Sequence, residues 1–231
     1  MLIGNYMKQI VLDTETTGLN FAEGHRVIEI GCVEMINRRL TGRNFHYYIN
    51  PEHEVEQEAL EVHGIDNDFL QDKPFFVDIA KEFCGFIEGA EIIAHNASFD
   101  VDFLNHELKL AKLGLGKVAD YCTVFDTLNL ARQLHPGQRN NLDALAKRYN
   151  ITHFNRNLHG ALLDAEILAQ VYLAMTGGQT TLFSEEAQQT PEGAVIRVKR
   201  SKAVQKSLVV LKANQQELTA HQQMQQLLQH E

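Results

Sequence analysis

The order of apolar and polar positions along the chain predicts strands and helices in alternation. Residues 8–13, Lys-Gln-Ile-Val-Leu-Asp, form a short apolar run closed by an acid, as in a buried strand. Residues 27–36 carry Val27, Ile28, Ile30, Cys32, Val33 and Ile36 and predict a second strand. A turn over 37–42 leads to a third strand over 43–49, paired antiparallel with the second. Helices are predicted over 54–62 and 74–87, with Pro74 suited to a first helical position. A compact strand over 91–94, a helix over 99–110, a strand over 121–125 and helices over 126–134 and 141–149 follow. The clearest helix spans 160–175, where Leu163, Ile167 and Val171 recur every four residues and Gly177–Gly178 ends the pattern. Three early strands followed by strand–helix alternation predict an α/β fold with a mixed central sheet flanked by helices.

Beyond Phe183 the pattern fades. Residues 184–193 are polar and read as a linker, and the 48 residues from Ser184 onward contain 10 Gln. Such a segment buries little apolar surface alone and is expected to be a flexible tail. It still holds a short apolar patch at 207–211. Asn214 then precedes a Gln-Gln-Glu start that suits a helix cap, and Leu218, Met224 and Leu228 share a stripe behind it. Folding against a partner and remaining a disordered extension both stay open.

Composition adds boundaries. Three cysteines without a CxxC spacing argue against a disulfide scaffold or a thiolate zinc site. No apolar run approaches 18 residues, and the first residues lack the layout of a secretion signal, so a cytoplasmic protein is expected. The formal net charge of −9 is awkward for a nucleic-acid protein. Residues 1–183 carry 15 Lys+Arg against 25 Asp+Glu, whereas residues 184–231 carry 6 against 5. Either the substrate is not a polyanion, or the acids hold divalent cations that reverse the local field.

The positions of the acids bear on that choice. Asp13 and Glu15 lie two apart at the end of the first strand and so project from one face. Asp100 follows His95-Asn96-Ala97-Ser98-Phe99 at the start of a helix, where an acid also suits the helix dipole. Asp164 lies five residues after His159 in the most apolar helix of the chain, where a charge needs a partner. Within a helix these two would be about 140° apart. If His159 precedes the helix, it is able to curl back over the same cleft. Alone, each element has an ordinary explanation: a solvated strand end, a helix cap, or a polar helix face beside Glu166. Together, four carboxylates at strand ends and helix starts match oxygen coordination of a hard cation, and a nearby histidine supplies a base that titrates near neutrality.

At these residues the sequence resembles the DEDDh family of 3′→5′ exonucleases, and within it the proofreading epsilon subunits of bacterial DNA polymerase III. The likeness rests on three motifs, Asp13-Thr14-Glu15-Thr16-Thr17-Gly18-Leu19, His95-Asn96-Ala97-Ser98-Phe99-Asp100 and His159-Gly160-Ala161-Leu162-Leu163-Asp164-Ala165, together with Val62-His63-Gly64-Ile65. The tyrosine branch of the family would place Tyr where Gly160 stands. The resemblance implies an RNase H-like exonuclease fold over residues 8–178 and two divalent cations, Mg²⁺ with Mn²⁺ as substitute. Asp13 would bridge both ions, Glu15 and Asp164 would complete the first site, and Asp100 would hold the second. His159 would accept the proton of the attacking water. Thr16, Leu19, His63 and Phe99 are implied to touch the terminal nucleotide or brace the site, His95 and Asn96 to orient the Asp100 loop, and Asp126 to cap a helix outside the catalytic set.

Gln179-Thr180-Thr181-Leu182-Phe183 resembles the peptides that bacterial partners insert into the beta sliding clamp, with Gln179 as polar anchor and Leu182 and Phe183 in an apolar pocket. Packing of Leu182 and Phe183 on the domain surface is the plainer alternative. The resemblance further implies a tether over 184–194 and docking of residues 195–231 on the polymerase catalytic (alpha) subunit. A small theta subunit is a further partner it allows. The substrate would be a single-stranded or frayed DNA 3′ end at the replication fork, which is cheaper to deliver when mispaired. The alternatives are a DEDDh exoribonuclease of tRNA ends or short oligoribonucleotides, a non-catalytic scaffold, and a metal-dependent phosphomonoesterase.

Overall fold

The computed structural model describes residues 7–151 and 158–177. The expectations for residues 178–231, covering the clamp peptide, tether and polymerase-binding tail, lie outside the described residues. Within them, five strands form one sheet: β1 (Lys8–Thr16), β2 (Val27–Ile36), β3 (Arg39–Tyr48), β4 (Glu91–Ala94) and β5 (Thr123–Asp126), in the spatial order β3-β2-β1-β4-β5. β1 runs antiparallel to β2 and parallel to β4, β2 pairs antiparallel with β3, and β4 pairs parallel with β5. The expected mixed α/β sheet is present. The helices are α1 (Gln57–His63), α2 (Asn67–Leu70), α3 (Phe76–Ile87), α4 (Ala97–Ala111), α5 (Thr127–Leu134), α6 (Leu142–Arg148) and α7 (Ala161–Thr176).

The central strands β1, β2 and β4 are buried on both faces, which explains why they read as continuous apolar runs. Ile10 and Leu12 of β1 join Ile92 and Ala94 of β4 in a core with Phe83 and Ile87 of α3 and Phe103 and Leu104 of α4. On the opposite face Val11 and Ile93 pack with Leu145 of α6 and Ala165, Leu168 and Val171 of α7. The central strand therefore has an α4 side and an α7 side, and alternate residues serve each.

Several boundaries differ from the sequence expectation. β1 extends past Asp13 to Thr16 because its tip stays paired with β2 through a bulge at Glu15/Thr16. β3 starts four residues early, at Arg39, because Asn37 and Arg38 alone make the turn, with φ of 50° and 65°. That is the left-handed geometry favoured in a two-residue hairpin. Pro74 is not at a first helical position: the cap is the extended Phe75, whose N–H donates to Asp78 Oδ2 at 3.0 Å. Residues 54–56 stay out of α1, and the Glu56 N–H bonds to the carbonyl of Thr17 at 2.9 Å, holding this segment at the tip of β1. The short α2, unanticipated, is started by Asp66, which accepts from the Phe69 N–H at 2.8 Å.

Among the described residues no helix is long and apolar enough to cross a membrane.

Candidate active site

The candidate site lies at the tip of β1. Strand alternation continues past the apolar run, so Asp13 and Glu15 share the parity of Val11, which faces α7, and Thr14 shares that of Leu12, which faces α4. Asp13 and Glu15 are half-buried and Thr14 is buried. One strand thus presents two carboxylates to one layer and a hydroxyl to the other.

On the α7 side the helix lies against the sheet. A Cβ added to Gly31, the β2 residue paired with Asp13, would fall 2.2 Å from backbone atoms of Ala161 and Leu162. Only the missing side chain admits so close an approach. Glu29, the partner of Glu15 across β2, is 1% exposed and clamps the same turn: its Oε2 accepts the Ala161 N–H at 3.0 Å and its Oε1 lies 2.7 Å from His46 Nε2. An acid at a helix N-terminus is favoured by the unpaired N–H groups and the dipole there. Asp164, one turn in, is thereby set beside the strand tip at 3% exposure, not on a polar face beside Glu166.

His159 precedes the helix, whose cap is Gly160. The histidine is therefore free of helical spacing. Its N–H donates to the carbonyl of Val62 at the end of α1 (3.1 Å), and its Nδ1 lies 3.2 Å from Asp164 Oδ2. Glu15, His159 and Asp164 each offer one donor atom, and these atoms all lie within 4.8 Å of one another. Two carboxylates and an imidazole at that spacing, one acid buried, suit a divalent cation, because like charges so close are stabilised by a positive charge between them.

On the α4 side Asp100 is reached differently. Asn96, in the left-handed conformation at φ 65°, turns the chain from β4 into α4 and puts Asp100 in its first turn. His95 anchors this corner, with Nδ1 2.9 Å from Thr127 Oγ1 and Nε2 2.8 Å from the Asn140 carbonyl. Asp126 caps α5 by accepting the Leu128 N–H at 2.8 Å and also accepts the Asn96 N–H at 3.2 Å, so it supports the same corner. Asp100 is 4% exposed and accepts the Thr14 hydroxyl at 2.8 Å. Burial pushes its pKa up to about 7, against the opposing pull of that hydrogen bond. Asp13 and Asp100 do not belong to the three-residue donor group. Both charges nonetheless act on the buried Cys32 thiol, whose pKa is pushed up first by burial and then by Asp100 and Asp13.

A cavity of about 600 Å³ opens beside the acids. Thr16, Leu19, His63 and Phe99 all line it, together with Glu15 and Val62. Leu19 is 84% exposed at its mouth. His63 is buried, its Nδ1 accepts the Ile65 N–H at 3.0 Å, and burial lowers its pKa. Phe99 packs on Phe103 at 4.9 Å between ring centroids, so it braces the helix that carries Asp100. Sequence reasoning missed Thr14, to which it gave no role of its own, and Glu29, which fell within the strand predicted over 27–36. An acid within an otherwise apolar strand was the available signal for the second.

The family model described as exonuclease, of the RNase T type, matches residues 10–172. Among curated relatives, the DNA polymerase III subunit epsilon of Salmonella typhimurium is 52% identical over 222 residues, covering 93% of this chain and 90% of its own. The Escherichia coli protein of the same name is 50% identical over the same shares. Among solved structures, exonuclease X in complex with 5′ overhanging duplex DNA has a TM-score of 0.56 at 26% identity, over 72% of this chain and 90% of that one.

Proposed function

This chain belongs to the RNase T exonuclease family, as a member of its DNA polymerase III epsilon group, and on that premise we propose how its side chains divide the work of trimming a DNA 3′ end. It is a metal-dependent 3′→5′ exodeoxyribonuclease of the proofreading type. The observation that carries this reading to residues is the meeting of Glu15, His159 and Asp164 at the tip of β1.

Glu15 and Asp164, with Asp13 beside them on the strand, are assigned to one divalent cation, and Asp100 with Asp13 to a second. Mg²⁺ suits the hard oxygen donors, and Mn²⁺ substitutes for it. When bound, such ions supply positive charge to a phosphodiester and make water a better nucleophile. Thr14 holds the Asp100 carboxylate in place, and Glu29 holds the turn that carries Asp164. His159, leaning on Asp164, takes the proton of the water that attacks the terminal phosphorus, and the bond from that phosphorus to the 3′ oxygen of the preceding nucleotide breaks, leaving the shortened strand with a 3′ hydroxyl. Thr16, Leu19, His63 and Phe99 form the walls that receive the terminal nucleotide, which leaves as a 5′-monophosphate.

The relatives are named as subunits of a polymerase. We assign Gln179, Leu182 and Phe183 to a sliding clamp, residues 195–231 to the polymerase catalytic subunit through the 184–194 tether, and a small theta-type subunit as a further partner. The place of action is then the replication fork in the cytoplasm. A tether raises the local concentration of the nuclease near the primer end, which offsets the weak grip expected of an acidic domain.

The test is digestion of a mispaired primer labelled at its 3′ end, with and without Mg²⁺, beside an RNA oligonucleotide of the same sequence. Metal-dependent release of the labelled deoxynucleotide, absent in Asp164→Asn, is expected. Label retained with Mg²⁺ present overturns the reading, and faster loss from RNA moves it to an exoribonuclease.

A further inference from the structure

The strongest feature not used above is a second cavity, of about 630 Å³, on the far side of the loop that follows β1. Phe21, Asp102, His106, Lys109, Lys112 and Lys117 are among the residues that line it. The three lysines are exposed and make no ion pair among the described residues. Two acids stand near them: Asp102 in the lining, and Asp120, whose carboxylate accepts the Lys117 N–H at 2.7 Å. Three lysines against two acids invert the local balance, since the rest of residues 1–183 holds 12 Lys+Arg against 23 Asp+Glu. Lys109 lies in the last turn of α4, where the helix dipole alone would favour it, but Lys117 is off the helix and beyond that explanation.

Two features link the groove to the catalytic cleft. The Gly18–Gly24 loop sends Leu19 into one cavity and Phe21 into the other. A row of rings also joins them: Phe99, a cleft wall, packs on Phe103 at 4.9 Å, Phe103 on Phe21 at 5.8 Å, and Phe21 on His106 at 5.4 Å. Along α4, residues 99, 102, 106 and 109 recur at helical spacing and so form one stripe running from the cleft to the lysines. At about 1.5 Å per residue, Lys109 sits roughly 15 Å along α4 from Phe99.

We propose that this groove holds the single-stranded DNA leading to the active site, with Lys109, Lys112 and Lys117 on its phosphates and Phe21 beside a base a few nucleotides from the 3′ end. It rests on the exonuclease reading above and extends it. A cationic track with an aromatic platform is what sequence-independent single-strand binding requires, and it gives an acidic domain one basic path.

The test compares K109A/K112A/K117A with the full-length wild type on two substrates. A p-nitrophenyl ester of thymidine 5′-monophosphate fills only the cleft, whereas a 12-nucleotide single strand also spans the groove. Anisotropy of the labelled 12-mer in EDTA reads binding without turnover. The variant is expected to match the wild type on the ester, to need at least about tenfold more 12-mer for half-maximal rate or binding, and to lose up to about 2 from the salt-dependence slope, at roughly 0.7 per phosphate contact. The corresponding triple Lys→Arg variant should restore both. An unchanged 12-mer affinity and salt slope overturns the proposal and leaves the groove to an acidic protein segment. A wild type that cleaves neither substrate refutes the exonuclease reading instead, and the anisotropy still decides the groove.

Discussion

The two sides of β1 deliver acids to one strand tip in different surroundings. On the α7 side Glu15 and Asp164 meet His159 at the mouth of a cleft, a charged cluster suited to a cation. On the α4 side Asp100 is buried against the Thr14 hydroxyl, and burial holds its pKa near 7. The contrast teaches that one site is built from a cluster of three ligand groups and one carboxyl kept close to neutral by burial. Without metal that raised carboxyl keeps a share of its protons near neutral pH, so a cation binding there must displace a proton.

The sharpest way to break the comparison is to remove the α7 side alone. Gly31→Ala would push the first turn of α7 off the sheet, because the new methyl meets backbone and not a flexible side chain. Turnover should fall by at least about 10³-fold, the penalty expected when a reacting geometry is displaced by an ångström or more and its base is misplaced as well. Circular dichroism should still report a folded sheet, and wild-type turnover would refute the packing argument. His159→Ala leaves the helix seated and removes the proton acceptor, so a loss of roughly 10²–10⁴-fold is expected, below that of Asp164→Asn on the same labelled primer.

The α4 side is read through stability. A carboxyl with a folded pKa near 7 and an unfolded value of 3.8 binds more protons when folded, so stability falls as pH rises from about 4 to 7. The rise from 3.8 to about 7 puts the effect on the order of a few kcal/mol. Asp100→Asn should therefore raise the metal-free melting temperature at pH 8, leave it nearly unchanged at pH 4, and abolish metal-dependent turnover. Equal melting temperatures at both pH values would show that the carboxyl carries no burial penalty. The smallest change is expected from Thr14→Val. Loss of the donated hydrogen bond raises the Asp100 pKa further, so the acid limb of the pH–rate profile should move to higher pH by up to about one unit.

These sides were unequally legible in the sequence. Asp13 and Glu15 were readable because strand alternation is local, and the apolar run named the strand. The α7 helix was readable from its spacing, and its predicted start at residue 160 left His159 before it, but the contacts that bring the histidine to Asp164 and the Val62 carbonyl were not, since only the fold supplies them. Thr14 was opaque because its partner lies 86 residues away on another layer. Glu29 was hidden for the same reason: only the docked α7 gives that acid an N–H to accept. The early start of β3 turned on Arg38 adopting a positive φ, a conformation more often left to Gly or Asn. His63, Thr16, Leu19 and Phe99 come from three separated stretches, and only the fold collects them around one cavity.

The position of β1 between the two helical layers has a consequence for a half-folded chain. Asp100 arrives with α4 on one face and Asp164 with α7 on the other, so neither layer alone carries all the acids we assign to the site. A nascent chain that has docked only its first helices has no working blade, and a molecule that has lost α7 is disarmed before it unravels. Destructive chemistry is thereby confined to the finished molecule.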